Sequence, residues 1–157
     1  MKLFLWNLLL AFMWGNVSGE LSPQTLAVGF IVGFVILYFV QDVVGRSRYF
    51  QKVFQIIGFF FFFLWELILA NMKVAHDVVT PTHYNKPGVI ALELDAKTDV
   101  EITLLANLIS LTPGTLSLDV SEDRRTLYIH AMFVEDPEAL RASIKDGMER
   151  RLLEVLR

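Results

Sequence analysis

The run from Val53 to Met72 is the feature that most constrains the fold, because it is apolar on all sides of a helix. It contains five consecutive phenylalanines, Phe59–Phe63, and carries a single charge, Glu66. Twenty residues of helix rise about 30 Å, which is the thickness of the hydrocarbon core of a bilayer. The run therefore predicts a membrane helix that joins two parts of different character.

Composition separates these two parts. Residues 1–72 carry four Lys or Arg and three Asp or Glu, whereas residues 73–157 carry ten and fourteen, consistent with a net charge of −3. The second part is mildly acidic and has no basic stripe of the kind that neutralises phosphates, so nucleic acid is not expected as a partner. The chain has no cysteine, which excludes disulfides, a thiolate nucleophile and cysteine zinc sites.

Two further apolar runs precede the phenylalanine-rich one. The first extends from Leu3 to Trp14 and the second from Leu21 to Gln41, and Gly19 and Pro23 lie in the link between them. These features favour a helical hairpin with Pro23 in the first turn of its second helix. A signal peptide cleaved after Gly19 is the alternative interpretation of the first run.

The apolar runs contain three candidate functional residues. Gly29 and Gly33 form a GxxxG pattern in the second helix, which predicts a close contact with another helix. Glu66 is the candidate membrane ionisable residue, because a charge at bilayer depth costs on the order of 3 kcal/mol and such residues usually face protein or water. A proton or cation path and a structural hydrogen bond to a neighbouring helix or to the interface both remain open for Glu66. Trp6, Asn7 and Trp14 in the first helix are interpreted as interface anchors or as residues that form interhelical hydrogen bonds.

The basic residues that follow the second apolar run bear on topology. Arg46, Arg48 and Lys52 cluster there, as in a cytoplasmic loop. A full crossing by the third helix would then place the C-terminal part outside. That part would be cytoplasmic if the basic loop were external, if the short first helix did not cross, or if the third helix lay partly along the interface.

The predicted division of the chain is 1–80 for membrane helices, 81–88 for a linker and 89–157 for a small soluble domain. His76, Asp77 and His83 lie near this boundary, but their spacing matches no known ligand set, and a solvated helix end with a linker is the favoured interpretation. We expect no metal and no cofactor.

Residues 89–157 alternate between strand and helix patterns. A strand is predicted from Val89 to Leu94, then a helix that begins with the Thr98 and Glu101 capping box. Strands at Thr115–Ser121 and Thr126–Phe133 form a hairpin, and Asp136 caps a last helix that has Pro137 at its first position. The buried stripe of that helix is predicted at Leu140, Ile144, Met148, Leu152 and Val155.

The order strand, helix, strand, strand, helix predicts a small α+β domain with a three-stranded sheet and both helices on one face, half of a ferredoxin-like motif. Alternation assigns Leu116, Leu118 and Val120 to one face of the second strand. In the third strand it directs three side chains away from the core: Tyr128, His130 and Met132. Because the sequence has no nucleophile-elbow, phosphate-loop, zinc-protease or dinucleotide motif, an enzyme is not expected.

The stretch from Asn107 to Ala131, NLISLTPGTLSLDVSEDRRTLYIHA, resembles the MnhE or PhaE family, which comprises the E-type subunits of the Mrp-type multisubunit cation/proton antiporters. The resemblance rests on the turn LTPGT (Leu111, Thr112, Pro113, Gly114, Thr115) and on the strands that follow it. It extends to the segment ELILANMKVAHDVVTP and to the hydrophobic N-terminal half, and so covers essentially the whole chain.

This resemblance implies an accessory, structural or assembly subunit of a cell-membrane complex that exchanges Na⁺ for protons. The implied partners are large polytopic and small membrane subunits together with the lipid bilayer, and the implied side for the C-terminal domain is the cytoplasm. Two other functions remain open, which are a direct contribution of Glu66 to an ion or proton path and a free membrane-anchored adaptor whose sheet binds a soluble partner.

Overall fold

The computed structural model describes residues 2–44, 48–80 and 86–157 of the chain. The predicted fold class is confirmed, since apolar helices precede a small α+β domain with the expected element order. The elements are α1 (Lys2–Val17), α2 (Pro23–Val44), α3 (Arg48–Val79), β1 (Gly88–Glu93), α4 (Asp99–Leu111), β2 (Thr115–Val120), β3 (Thr126–Ala131), α5 (Pro137–Ser143), a π-helical segment (Ile144–Glu149) and α6 (Arg150–Leu156).

The chain forms two compact units, Met1–Phe54 and Gln55–Arg157. The division falls inside α3, so most of that helix, from Gln55 to Val79, belongs to the unit that contains the sheet. The predicted boundaries at residues 80, 81 and 88 stay a prediction. His83 and the start of the predicted linker, residues 81–85, lie outside the described residues.

The first unit is a helical hairpin with the beginning of α3. Helix α2 begins at Pro23, as predicted, and its segment Pro23–Gln41 is long and apolar enough to cross a membrane. Helix α3 meets the same criterion of length and composition, whereas Leu3–Val17 is a shorter apolar helix. A cluster formed by Leu3, Leu37 and Phe50 joins the three helical segments within this unit.

The second unit contains a three-stranded sheet in the order β1-β3-β2. Strand β3 pairs antiparallel with both neighbours, so β1 and β2 run parallel to each other with β3 between them. Because α4 connects β1 to β2, the arrangement is the split strand-helix-strand of half a ferredoxin-like motif. The hairpin of β2 and β3 was predicted from its alternation and polar turn.

The core of the second unit lies on one face of this sheet. Strand residues contact apolar residues from α4 and from the last helix, and two phenylalanines of α3, Phe59 and Phe63, pack against the same cluster. Its buried members are Ile90, Leu92, Leu105, Ile109, Leu127, Ile129, Ile144, Met148 and Leu152. A helix that the sequence assigns wholly to the membrane therefore contributes to the core of the small domain.

The predicted face of β2 is wrong in one respect. A β-bulge between Ser117 and Asp119 shifts the register against β3. Leu116 and Leu118 lie on the open face of the sheet and are each half exposed, whereas Val120, beyond the bulge, packs against the core. A bulge inserts one extra residue and so reverses the alternation beyond it, which a strict period of two cannot anticipate.

The helices of the domain follow their predicted caps, with differences in their buried faces. Both hydrogen bonds of the capping box between Thr98 and Glu101 are present, and Asp136 accepts from the first turn of α5, which begins at Pro137. Helical spacing in the sequence predicts Val100, Leu104, Leu105, Leu108 and Ile109 as the apolar positions of α4, but Val100 is exposed and the buried apolar residues are Ile102, Leu105 and Ile109. The last helix is interrupted by the π-helical segment, and Leu153 is buried where Val155 was expected.

Candidate functional site

The two glycines of α2 lie directly against α1. A methyl group on Gly29 would lie 2.8 Å from Trp14 Cβ and 3.0 Å from the carbonyl oxygen of Ala11. A methyl group on Gly33 would lie 2.5 Å from Asn7 Oδ1 and 3.1 Å from Leu10 Cβ. Real Cβ atoms essentially never come within 3.0 Å of another atom, so the contacts with Trp14 Cβ and Asn7 Oδ1 could not form without a shift, and the two helices pack at a separation that glycine permits at these positions.

Asn7 is a buried polar residue in the same hairpin. Its side chain is fully buried, and its Nδ2 donates to the hydroxyl of Tyr49 at 3.0 Å. Its Oδ1 has no hydrogen-bond partner within the part of the chain that the structure describes. A hydrogen bond of this kind between two helices is expected for a buried amide at membrane depth, where water is absent.

Glu66 and the LTPGT turn line one cavity of about 160 Å³ in the second unit. Glu66 and Lys73 line it from α3, and four of the five turn residues line it as well: Thr112, Pro113, Gly114 and Thr115. Apolar residues of β3 and of the last helix complete the lining. The sequence-predicted carboxylate and the sequence-predicted turn are therefore brought together, whereas Leu111 is exposed and does not contribute to the lining.

Hydrogen bonds hold the turn in place. Helix α4 ends at Leu111, and Thr112 Oγ1 donates to the carbonyl oxygen of Leu108 at 3.0 Å. Thr115 Oγ1 donates to the carbonyl oxygens of Ile109 at 2.6 Å and Thr112 at 3.0 Å. Gly114 has a φ of +88°, a left-handed conformation that favours glycine. The Ile109 and Thr112 carbonyls also accept from the backbone N–H groups of Thr112 and Thr115, each at 3.1 Å, so side chain and backbone together close the helix end.

The arrangement at the cavity is a carboxylate and an ammonium group in a mostly apolar wall. Glu66 is half-buried and Lys73 is exposed. Among the described residues no group of three or more His, Cys, Asp and Glu side chains comes together to hold a metal ion. The cavity can accept water or a small amphipathic group, and it has no assembled nucleophile and base within the described chain.

A second polar cluster stabilises the domain away from the cavity. The Arg157 guanidinium, together with the backbone N–H groups of Lys97 and Thr98, lowers the pKa of Glu101 from 4.5 to about 2. The buried Glu149 accepts from the backbone N–H groups of Asp95 and Ala96 at 2.7 Å and 2.9 Å. Sequence reasoning missed Glu149, because a glutamate within a helical pattern is usually solvated.

These features define a membrane protein in which apolar helices are followed by a small α+β domain. Residues 7–155 match the MNHE family, described as a Na⁺/H⁺ ion antiporter subunit. The chain belongs to this family, as the sequence resemblance implied.

Two relatives agree with this assignment over nearly their whole length. The chain is 40% identical over 149 residues to the E-type Na⁺/H⁺ antiporter subunit of Alkalihalophilus pseudofirmus, an alignment that covers 95% of this chain and 94% of the relative. It is also 40% identical over 151 residues to the E-type Na⁺/H⁺ antiporter subunit of Bacillus subtilis, with 96% of each chain covered.

Two solved complexes contain chains of similar fold. A chain of the Mrp complex from a Dietzia species has a TM-score of 0.51 and 31% identity, covering 65% of this chain and 96% of that one. A chain of the membrane-bound sulfane sulfur reductase, an archaeal respiratory membrane complex, has a TM-score of 0.60 and 26% identity, covering 98% of both chains. Both similar chains are parts of complexes.

Proposed function

We propose that the chain is an accessory subunit of a Na⁺/H⁺ antiporter complex in the cell membrane, where it stabilises the assembly and carries out no reaction of its own. The observation that supports this role is the uncharged character of the hairpin. Residues 3–19 and 21–41 carry no acidic or basic side chain, so these two apolar stretches offer no charged groups for an ion or proton path. Their close glycine packing suits a structural element instead.

The proposal places the C-terminal domain on the cytoplasmic side. The basic residues around the start of α3, Arg46, Arg48 and Lys52, favour the cytoplasm for the connection that follows α2. A hairpin of two crossings returns the chain to the side on which it began. The domain is then cytoplasmic provided that α3 does not itself cross the membrane.

Purification of the tagged full chain from its native membrane in mild detergent tests this function. We expect stoichiometric recovery of the large polytopic subunits, and recovery of the chain alone would contradict the proposal. Gly33→Leu should reduce the recovered subunits several-fold, because its side chain would collide with Asn7 and Leu10. Gly58→Leu is the matched control, since nothing lies within 4 Å of a Cβ at Gly58.

A second candidate function is a direct role of Glu66 in ion movement, and it is favoured by the position of Glu66 in a cavity that Lys73 also lines. Glu66→Gln preserves the shape of the side chain and removes its charge. The accessory role predicts normal levels of the complex and nearly unchanged exchange of Na⁺ for protons in membrane vesicles. Normal levels with lost exchange would instead assign Glu66 to the path.

The adaptor function would gain support if the chain were recovered alone. The open face of the sheet exposes Leu116, Leu118 and Tyr128, with His130 beside them. In that case Tyr128→Ala and His130→Ala should weaken an association with a soluble partner. The accessory role predicts that the large membrane subunits are still recovered with both variants.

A further inference from the structure

Helix α3 has two unlike faces over residues 59–73. Its inner face is occupied by the small domain: Phe59 and Phe63 pack against the domain core, and the Arg151 guanidinium lies 4.2 Å from the centre of the Phe62 ring. Glu66 and Lys73 continue this face along the cavity. Every charge of α3 in this stretch therefore lies on the side of the domain.

The opposite face is an uncharged apolar stripe, which we call the outer stripe: Phe60, Phe61, Leu64, Trp65, Ile68 and Met72. Each of these side chains is exposed, from 42% for Leu64 to 66% for Met72. The positions recur every three or four residues, so they form one continuous strip of about 18 Å along the helix. Soluble surfaces rarely leave an aromatic strip of this extent in contact with water.

This arrangement is incompatible with α3 as a complete membrane crossing. The segment that packs against the domain cannot be surrounded by lipid, because one side of it is covered by a domain with charged surfaces and hydrogen-bonded loops. The remaining residues of the helix before the contact, 48–58, rise only about 16 Å, roughly half of the hydrocarbon thickness. Helix α3 is long and apolar enough to cross a membrane, but its packing against the domain is incompatible with a complete crossing.

We propose that α3 lies along one surface of the bilayer, with the outer stripe immersed in the outermost hydrocarbon of one leaflet and the domain on the polar side. Lipid acyl chains cover the outer stripe in this arrangement. Trp65 is the side chain type that prefers the boundary between headgroups and hydrocarbon. Lys73 and Arg151 lie on the domain side, where they can meet anionic headgroups.

This placement removes the conflict between the charge rule and a cytoplasmic domain. With α1 and α2 as the only crossings, the basic residues Arg46, Arg48 and Lys52 and the C-terminal domain are on the same side of the membrane. The inference concerns how this chain lies in the bilayer, so it can fail while the accessory function stands. It can equally hold if the chain is a free adaptor.

A cysteine scan of α3 tests the placement, and the chain suits it because it contains no native cysteine. Single substitutions along residues 57–75 of the full chain in anionic proteoliposomes would each carry a nitroxide label. The measurement is the ratio of label accessibility to oxygen, which enters lipid, and to a polar nickel chelate, which does not. A surface helix gives a ratio that oscillates with a period of 3.6 residues and peaks at Phe61→Cys, Leu64→Cys, Trp65→Cys and Ile68→Cys.

A profile that rises to a single maximum near Phe62 and falls again would show a crossing helix and overturn the proposal. Labels on the inner face can disturb the packing of the domain. Labels on the outer stripe replace side chains that are already exposed, so the measurements at those positions do not depend on the packing of the domain. A photoreactive benzoylphenylalanine at Phe61 in the intact complex tests the occupant. We expect cross-links to lipid, and efficient cross-linking to a neighbouring subunit would assign the stripe to protein instead.

Discussion

Arg157 donates to both carboxylate oxygens of Glu101, from Nε to Oε1 at 3.0 Å and from Nη2 to Oε2 at 3.2 Å. Glu101 also accepts from the backbone N–H groups of Lys97 and Thr98 at the start of α4. These hydrogen bonds connect Arg157 to the first turn of α4. A paired guanidinium and carboxylate of this geometry is among the stronger side-chain interactions.

This pairing predicts a pH-dependent contribution to stability. The pKa of Glu101 is about 2 in the folded chain and 4.5 without the partners, so the ionised group stabilises the fold above pH 4.5. The contribution decreases below that value and is lost as the pH falls through about 2. Arg157→Gln should lower the midpoint of thermal unfolding at neutral pH and converge with the parent chain at acidic pH, as followed by circular dichroism of the full chain in detergent.

Glu101→Gln is the companion variant, because it removes the titrating group while keeping the side chain's shape. Its difference from the parent chain should shrink over the same acidic range. A constant difference at every pH would show that Glu101 acts through shape or packing and not through its charge.

Alanine substitutions at Gly114 in the LTPGT turn and at Gly58 in α3 should change the stability of the chain in opposite directions. Gly114→Ala should destabilise the domain by about 1–2 kcal/mol, because alanine is strained at positive φ. The nearest atoms to a Cβ there are at 3.6 Å and 3.7 Å, an ordinary contact distance, so the cost arises from the backbone. Gly58→Ala in α3 should instead stabilise the helix by about 0.5–1 kcal/mol. Urea unfolding of both variants checks this contrast, and equal signs would contradict it.

Cationic side chains from the last helix protect the edge strand β1. Arg141 Nε donates to the carbonyl oxygen of Ala91 and Lys145 Nζ to that of Glu93, each at 2.9 Å. Arg141→Ala and Lys145→Ala should each cost about 0.5–1.5 kcal/mol and leave an edge open to pairing with other chains. Arg150→Ala, which removes an exposed cation on the adjoining turn, is the matched control. Light scattering after partial heating should rise for the first two variants and not for the control.

The sequence was sufficient to predict the order of the elements in the C-terminal domain, because caps, turns and alternation agree there. The capping box at Thr98, the Asp136 cap and the hairpin turn all act within a few residues of themselves. The bulge in β2 was missed, since neither Ser117 nor Leu118 differs in type from a regular strand residue. The choice between a regular ladder and a bulge depends on packing across the sheet.

The sequence predicted individual residues of the candidate site, but it did not predict that they lie together. Glu66 and the LTPGT turn are far apart in the sequence, and nothing local indicates that they share a cavity. The reason is that one face of the phenylalanine-rich run packs against the domain core while the other face is exposed. Hydropathy assigns Phe59 and Phe61 the same value. It does not indicate that Phe59 packs against the domain core and that Phe61 is exposed.

The two faces of α3 predict unequal effects for neighbouring phenylalanines. Phe63→Ala removes a half-buried ring from the domain core and should cost about 2 kcal/mol, below the roughly 3–5 kcal/mol typical of fully buried rings. Phe61→Ala, on the outer stripe, should change stability by less than about 0.5 kcal/mol. Hydrogen exchange of the β3 amides in detergent-solubilised full chain measures both. Equal loss of protection in the two variants would mean that the domain core does not extend onto α3, and that the division between the two faces of the helix is wrong.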